Sequence, residues 1–380
     1  MCKILILVND LHIGGIQKSL IEFLNYLSKR NLKIDLIVWE ANGVLEKEIP
    51  GSVNVIYYQY PKTWKAVKDE KKIFKKILAF KELLTFKFFD KIIKKPWLFF
   101  PKIKEEYQKV ICYNQDGYSR FYAVDNVLYG EKFLWFHHGS YEFSKREYAL
   151  DQKYFNKFRN VITVSEANKK MLSEHFPLHI NRFHVIPNII NAEKIIEDSL
   201  SEVADLKKAV ETKTFITVSR FSKEKGIHLA IEVADELKNR GLKFKWYFIG
   251  DGDIFSEIEK IIQQKNLSSE CVLLGMKKNP YPYIKQADLY IQTSLVESQS
   301  ITIHEALVLK KLIVTTNLPA LTEALQNGKL GVLCEKNKES FVRQIMNLLE
   351  NQKAQDTLKL SVDEYVVSNE KAYRAIDKLF

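Results

Sequence analysis

The sequence is poor in cysteine and has no long apolar run. Its four cysteines, Cys2, Cys112, Cys271 and Cys334, are scattered without the spacing of a metal site or a disulfide framework, which indicates buried free thiols in a reducing compartment. No stretch approaches the ~20 uninterrupted apolar residues of a membrane-spanning helix. The opening MCKILILVND lacks the long apolar core of a signal peptide, so we expect a cytoplasmic protein.

The chain also lacks low-complexity segments and the G-x-G-x-x-G fingerprint of dinucleotide-binding proteins. Of its 380 residues, 46% are hydrophobic, which is enough to fill the cores of two domains. Positive charge is in excess, with a formal net charge of +11. Residues 61–109, the basic segment, contain 15 lysines and six acids, a balance of +9, so the rest of the chain is close to neutral.

Apolar residues of the basic segment have helical spacing. The predicted apolar side consists of Ile73, Ile77, Leu78, Leu83, Leu84 and Phe88. The interleaved aromatic residues are Trp64, Phe74, Phe80, Phe86, Phe88, Phe89, Trp97, Phe99 and Phe100. This composition favours an anionic membrane surface as partner. One alternative is helices packed against the sheet with a solvated lysine face. The other is nucleic acid, which the lack of arginine and of a recognised module disfavours.

The clearest supersecondary signal is DLYIQTSLVESQSITIHEALVLKKLIVTTN, at residues 288–317. In order, it predicts a buried strand at Asp288–Thr293, a polar turn at Leu295–Ser300, a helix at Ile301–Lys310 and a second buried strand at Leu312–Thr315. A strand–loop–helix–strand unit is typical of a parallel α/β sheet.

Two carboxylates follow the first of these strands. Glu297 lies in the turn, and Glu305 lies roughly 8 Å away along a helix that starts near Ser300 and rises ~1.5 Å per residue. The helix N-terminus between them attracts anions, and carboxylates accept hydrogen bonds from sugar hydroxyls. A nucleotide-sugar fits this pattern. The alternative is a capping box formed by Thr302 and Glu305, which would make Glu305 a helix-start residue only.

Two cations follow another predicted strand, Phe215–Ser219. Arg220 stands at its carboxyl end, and Lys225 precedes Gly226 at the start of the next helix. Fixed cations at such a junction would neutralise a diphosphate. The alternative is a surface ion pair with Glu224. Further along, the GDGD run at residues 250–253 predicts a strand-to-helix turn rather than a metal site.

The first half of the chain offers glycines and histidines at strand ends. Gly14 and Gly15 follow the predicted strand Lys3–Val8 and would let the backbone approach a ligand, although a simple tight turn is the alternative. His137 and His138 follow the predicted strand Phe133–Phe136, at the edge where open α/β sheets bind ligands. Neither histidine has the additional spacing of a metal site.

These features resemble the family-four retaining glycosyltransferases, which have the GT-B fold of two Rossmann-like α/β domains with a cleft between them. Glu297 and Glu305 match the E-x7-E motif of that family. Other similar segments, in the family's order, are VNDLHIGGIQKSL, FLWFHHGSY, NVITVSEANKKML, HVIPNIINAEKI, FITVSRFSKEKGIHLAIEVADEL, YFIGDGD, VLLGM and PYIKQADLYIQTS. They cover most of the chain except roughly residues 60–110 and are most similar to the bacterial branch that builds capsule, exopolysaccharide or lipopolysaccharide.

The resemblance implies roles for particular residues. Glu297, which would hold hydroxyls of the donor sugar, and His137 are the implied catalytic residues, with His138 as the rival of His137 and a candidate for acceptor binding. Binding of the nucleotide-sugar is assigned to Gly14, Gly15, Arg220, Lys225, Gly250, Met276, Ser300, Ile301 and Glu305. Of these, Arg220, Lys225 and the backbone at 300–301 would hold the diphosphate and Glu305 the ribose. No metal or other cofactor is expected, and UDP is favoured over GDP.

The expected domains are residues 1–192, an acceptor-side domain to which residues 364–380 cross back, and residues 193–363, which bind the nucleotide-sugar. The implied activity is retaining sugar transfer to a lipid-linked saccharide in cell-surface polysaccharide synthesis. We expect a peripheral protein on the inner face of the cell membrane that contacts anionic lipid through residues 61–109 and does not bind nucleic acid.

Two alternative functions are a nucleotide-sugar epimerase of the same fold and a non-catalytic, membrane-associated partner that retains the fold. The second is motivated by Ser298, Gln299 and Ser300, because the family usually has glycine followed by an aromatic–glycine pair there. Leu312 likewise replaces the usual proline, and Asn191 an aspartate.

Overall fold

A computed structural model describes residues 2–206 and 211–379 of the chain. It divides into two compact units. The first runs to Val164 and includes Lys169–Ile186, and the second comprises Ser165–Asn168 and the chain from Pro187 onward.

The first unit is built on a parallel seven-stranded sheet of order β3-β2-β1-β4-β5-β6-β7. Its elements are β1 (Cys2–Val8), α1 (Gly15–Ser28), β2 (Leu32–Val38), β3 (Val53–Tyr57), α2 (Trp64–Asp69), α3 (Ile73–Lys87), β4 (Lys109–Cys112), α4 (Ser119–Asp125), β5 (Glu131–Phe136), α5 (Lys145–Tyr154), β6 (Asn160–Thr163), α6 (Glu166–His175) and β7 (Phe183–Val185). The strands are continuous apolar runs because helices cover both faces of a parallel sheet, and residues 4–8 of β1 are fully buried.

The second unit is built on a parallel six-stranded sheet of order β10-β9-β8-β11-β12-β13. Its elements are α7 (Ala192–Asp198), β8 (Lys213–Val218), α8 (Ile227–Asn239), β9 (Phe244–Ile249), α9 (Phe255–Gln264), β10 (Cys271–Gly275), α10 (Tyr281–Gln286), β11 (Leu289–Gln292), α11 (Ile301–Val308), β12 (Leu312–Thr316), α12 (Pro319–Ala324), β13 (Val332–Cys334), α13 (Lys338–Glu350), α14 (Gln352–Glu364) and α15 (Glu370–Asp377).

Each sheet has a topological switch point, where successive crossovers change direction. It lies between β1 and β4 in the first unit and between β8 and β11 in the second. Ligands of open α/β sheets bind at the carboxyl ends of the strands at such points. The loops after these four strands are therefore where a site is expected.

The structure confirms the α/β fold and most of the predicted strands. The run VIPN also predicts a strand at Val185–Asn188, and the bounds of this prediction are wrong, because β7 is at Phe183–Val185. Of the four free cysteines, Cys112, Cys271 and Cys334 are buried, as predicted, whereas Cys2 is only half-buried. Within the described ranges, no helix is both long and apolar enough to cross a bilayer. The domain boundary at 192/193 and the return of residues 364–380 stay predictions.

Most of the predicted apolar side of the basic segment is exposed in the structure. Of its predicted apolar side, Leu83 is buried, whereas Ile73, Ile77, Leu78, Leu84 and Phe88 are exposed. The sequence pattern groups Trp97 and Phe100 with the aromatic residues expected at a membrane. In the structure, both belong to the core of the first unit. Helical spacing identifies an apolar side but does not determine whether that side faces the sheet.

Gly226 offers a test of the packing at the second switch point. Its φ is +63°, and an added Cβ would lie 2.0 Å from the Thr293 carbonyl oxygen. Gly226→Ala is therefore expected to destabilise the protein by roughly 2–4 kcal/mol in urea titrations. The matched control is Gly51→Ala, whose Cβ meets no atom within 4 Å and which should change stability little. Equal stability of the two variants would contradict this packing.

Candidate functional site

Two loops meet at the switch point of the second unit. They are residues 219–226 after β8, termed the β8 loop, and residues 293–300 after β11, termed the β11 loop. The Leu295 N–H donates to the Glu224 carbonyl (2.8 Å), and the Thr293 hydroxyl donates to the Gly226 carbonyl (2.8 Å). Hydrogen bonds to main-chain carbonyls therefore fix the two loops against each other.

Lys225 and Glu297 form an ion pair between these loops. Nζ of Lys225 lies 2.7 Å from Oε1 of Glu297, and the two side chains are 19% and 8% exposed. The same oxygen accepts hydrogen bonds from Nε2 of Gln292 and Oγ of Ser294, each at 2.8 Å. Three hydrogen-bond donors on one oxygen give the carboxylate a defined orientation.

Arg220 shares the β8 loop but contacts a different acid. Its side chain is 67% exposed and lies 3.3 Å from Oε1 of Glu224, which is the surface ion pair that the sequence left as an alternative. Exposed pairs of this kind contribute about 0–1 kcal/mol. If Arg220 released Glu224 and bound a phosphate instead, the protein would therefore lose little stability. Of Arg220 and Lys225, only Lys225 contacts Glu297 directly.

Glu305 is buried in α11, where its Oε1 accepts a hydrogen bond from the Tyr281 hydroxyl at 2.9 Å. The capping box of Thr302 and Glu305 does not form, because the N-cap residue of α11 is Ser300 and Thr302 lies inside the first turn. Glu305 is thus oriented by α10 rather than by the start of its own helix.

Ser300 and Ile301 mark the N-terminus of α11, three residues after Glu297. Ser300 is buried, and its hydroxyl donates to Oε1 of Gln292 (3.1 Å) instead of capping the helix. Ile301 is the half-buried first helical residue. The first N–H groups of the helix therefore receive no side-chain cap from Ser300, and they can bind an anion.

Gly250 and Met276 lie at the neighbouring strand ends, after β9 and β10. Gly250 has φ +143°, and an added Cβ would lie 1.8 Å from the Ser219 carbonyl oxygen, so only glycine allows this approach to the β8 loop. Met276 is exposed. Among the described residues, no group of three or more His, Cys, Asp or Glu is placed to hold a metal ion.

The first unit places Gly14 and Gly15 after β1, at its own switch point. Gly14 is the N-cap residue of α1 and Gly15 its first residue. In the loop before them, Oδ1 of Asp10 accepts hydrogen bonds from the His12 N–H (2.9 Å) and Nε2 of Gln17 (3.0 Å). The two glycines therefore stand at the start of the helix that follows the loop after β1.

His137 and His138 have different surroundings at the end of β5. The His137 ring is buried against Tyr113, and burial lowers its pKa to about 3. Its Nε2 has no hydrogen-bond partner among the described residues. Nε2 of His138 lies 3.2 Å from Oδ2 of Asp116. The two rings therefore differ in exposure: the His137 ring is buried, whereas the His138 side chain is 42% exposed.

Sequence reasoning missed Gln292, Ser294 and Tyr281. For Gln292 a signal existed, since a buried amide at the end of an apolar strand requires hydrogen-bond partners. Tyr281 carries no such signal, because its contact with Glu305 depends on how α10 packs beside α11.

Comparisons with known proteins cover nearly the whole chain. Residues 13–194 match the family described as Glycosyltransferase Family 4, and residues 198–361 match the family described as Glycosyl transferases group 1. The N-acetylgalactosamine-N,N'-diacetylbacillosaminyl-diphospho-undecaprenol 4-alpha-N-acetylgalactosaminyltransferase of Campylobacter jejuni is 25% identical over 201 residues, 52% of this chain and 53% of that protein. The alpha-monoglucosyldiacylglycerol synthase of Acholeplasma laidlawii is 27% identical over 193 residues, 49% of this chain and 48% of that protein.

The chain spans about half the length of the curated relatives it matches. Among solved structures, that of Anabaena HepE in complex with UDP and glucose superposes with a TM-score of 0.72 at 15% identity, covering 100% of this chain and 99% of that one. At this identity the likeness shows the fold, which is GT-B as predicted. With the two family matches, this establishes that the chain belongs to the family 4 glycosyltransferases.

Proposed function

We propose that this protein is a retaining glycosyltransferase that moves a sugar from a nucleoside diphosphate-sugar to a lipid-linked saccharide in cell-surface polysaccharide synthesis such as that of capsule or lipopolysaccharide. The observation that carries the proposal is the Lys225–Glu297 pair at the switch point. Glu297 lies three residues before Ser300, the N-cap residue of α11. A cation, an oriented acid and a helix N-terminus suit a sugar joined to a diphosphate.

Each group has a role in the proposed reaction. The bond between the anomeric carbon and the diphosphate oxygen breaks, and the acceptor hydroxyl oxygen bonds to the same face of that carbon and passes its proton to the leaving diphosphate. Lys225, Arg220 and the N–H groups at 300–301 stabilise the charge that the diphosphate gains. Glu297 holds donor-sugar hydroxyls, and Glu305 holds the ribose.

The glycines and the exposed methionine complete the proposed nucleotide-sugar contacts. Gly14 and Gly15 open α1 and would face the donor phosphates, while Gly250 and Met276 would lie by the nucleotide. UDP is favoured over GDP, in line with the UDP bound in the HepE structure.

His137 is proposed as an uncharged hydrogen-bond partner of the donor sugar. Burial lowers its pKa to about 3, so its imidazole is neutral at physiological pH. A neutral ring suits a hydroxyl group better than a phosphate. His138, beside Asp116, is proposed on the acceptor side.

A membrane lipid is the proposed carrier of the acceptor. The name of the Campylobacter relative includes a diphospho-undecaprenol, and that of the Acholeplasma relative a diacylglycerol. Both are membrane lipids, so both relatives work on substrates that reside in a bilayer. An enzyme using such an acceptor would require a surface that contacts the membrane.

Helix α3 offers that surface. Ile73, Ile77, Phe80 and Leu84 follow one another at helical spacing and are all exposed, and we term them the docking face. Its flank includes Phe74, which is 77% exposed. On the opposite side of the helix, Ala79 and Leu83 pack with Val67 in a small buried cluster. The docking face is therefore apolar without serving the core of the first unit.

The positive charge of the basic segment indicates which partner the docking face binds. The basic segment carries +9, and each lysine near an anionic bilayer contributes about 1 kcal/mol of attraction. Burial of a Phe or Ile side chain in the acyl region adds about 1.5–3 kcal/mol. Trp64 packs on Phe80 with Nζ of Lys87 over its ring, an arrangement suited to the headgroup level. We therefore propose an anionic bilayer as the partner.

Substitution of Glu297 tests the proposed activity. With a UDP-sugar chosen by thermal shift and an undecaprenyl diphosphate-linked saccharide, Glu297→Gln should lower turnover at least ~100-fold, because the oriented carboxylate is lost. The control is Glu270→Gln, which removes another acid–lysine pair of the second unit, with Lys238 at 3.1 Å, and should leave turnover unchanged. Wild-type turnover by Glu297→Gln would contradict the role. UDP release without an acceptor would instead favour an epimerase.

The pH dependence of stability tests whether His137 is neutral. Because its pKa is about 3 when folded and 6.5 otherwise, only the unfolded chain takes up a proton as pH falls from 7 to 5, which destabilises the native state. The effect at pH 5 is about 2 kcal/mol. In urea titrations, His137→Gln should therefore lose less stability than the wild type over this range. If His137→Gln instead keeps the wild-type slope, this assignment is wrong.

Vesicle flotation tests the docking face. The wild type should float with vesicles containing 30% phosphatidylglycerol but not with phosphatidylcholine alone, and less so at high salt. The double variant Phe74→Glu/Ile77→Glu should stay in the soluble fraction. The control is Leu178→Glu. Leu178 is another apolar residue of the first unit, 88% exposed, and this variant should float like the wild type. A wild type that does not float, or that dimerises through this face, would overturn the proposal.

A further inference from the structure

A single amide stands at the end of an otherwise apolar strand in the second unit. Leu289, Tyr290 and Ile291 of β11 are buried, and Gln292, which ends the strand, is 2% exposed. Burying an amide is costly unless its groups are hydrogen-bonded. The partners of Gln292 therefore show what the residue contributes.

The amide nitrogen of Gln292 contacts the β11 loop. Nε2 donates to Oε1 of Glu297 at 2.8 Å and to Oγ of Ser294 at 3.1 Å. Because a carboxylate can only accept, this contact also fixes which end of the amide faces Glu297. Ser294 in turn donates to the same Glu297 oxygen (2.8 Å), so Gln292 supports the acid both directly and through Ser294.

The amide oxygen of Gln292 contacts the first turn of α11. Oε1 accepts hydrogen bonds from the hydroxyls of Ser300 and Thr302, both at 3.1 Å, and lies 3.2 Å from the Tyr290 hydroxyl. One side chain thus connects Glu297 to the N-terminus of α11. Ser300 stands where the resembled family usually has glycine, and its hydroxyl supplies one of these contacts.

This network leaves one oxygen of Glu297 for a ligand. Lys225, Gln292 and Ser294 all bind Oε1. No described residue donates to Oε2, so Oε2 is available to a sugar hydroxyl. Loss of Gln292 would remove the hydrogen bond that links this carboxylate directly to the end of β11.

We propose that Gln292 is a positioning residue for recognition of the donor sugar, which orients Glu297 relative to the N-terminus of α11. The inference rests on the proposed function, because it needs a nucleotide-sugar as ligand. It deepens that function by assigning selectivity for the sugar, as opposed to the nucleotide, to the amide at the end of β11.

The test compares binding of UDP with binding of UDP-glucose and UDP-N-acetylglucosamine by isothermal titration calorimetry. The quantity of interest is the ratio of two dissociation constants, that of UDP divided by that of the UDP-sugar that binds more tightly. Gln292→Leu should lower this ratio about tenfold while UDP affinity changes less than about threefold. Glu297→Gln should lower it similarly, and the double variant no further, because Gln292 acts through Glu297.

Two further variants separate positioning from loss of stability. Thr315→Val removes another buried hydrogen bond of β11, from the Thr315 hydroxyl to the Gln292 carbonyl (2.9 Å), and should lower the melting temperature while leaving the ratio unchanged. If Gln292→Leu does not fold, Ser294→Ala, which removes one contact of Gln292 and one of Glu297, should lower the ratio in the same direction by a smaller factor.

The outcomes distinguish this inference from the function on which it rests. A wild type that binds UDP-sugars, together with a Gln292→Leu variant of unchanged ratio or a double variant whose loss is the product of the single losses, overturns the positioning role alone. A wild type that binds neither UDP nor a UDP-sugar overturns the proposed function, and this inference with it.

Discussion

The ion pair between Lys225 and Glu297 joins the two loops on which the candidate site depends. Both side chains are largely buried, and removing two charges from water costs free energy that their attraction only roughly offsets. The pair is therefore a weak source of stability and better explained as a binding feature. A sugar diphosphate would place its negative charge near the lysine and its hydroxyls near the acid, which uses both members of the pair.

The folded sheet brings these charges together. A switch point makes the loops after β8 and β11 neighbours, although Lys225 and Glu297 are 72 positions apart in the chain. Gly226 and Gly250 permit close backbone approach to Thr293 and Ser219, and no larger residue fits at either place. Hydrogen bonds from Gln292 then fix the acid relative to α11. The strand order therefore determines which loops are neighbours, and the contacts between the loops determine how the side chains are oriented.

The sequence predicted the local elements well because apolar runs and turn residues are local signals. The strand, loop and helix at residues 288–308 are where the pattern indicated, and Glu297 and Glu305 lie on the loop and helix expected. The partner of Lys225, the contact of Tyr281 with Glu305 and the burial of Trp97 could not be predicted, since they depend on packing between distant segments.

Hydrogen–deuterium exchange with and without UDP tests most directly whether the two loops bind the diphosphate. With UDP, backbone amides at residues 219–226 and 293–305 should exchange more slowly, because the nucleotide diphosphate would bind the N–H groups at the start of α11 and draw in Lys225. Amides at the opposite, amino-terminal edge of the same sheet should be unchanged. Protection confined to that edge, or no protection of either loop at saturating UDP, would contradict the account.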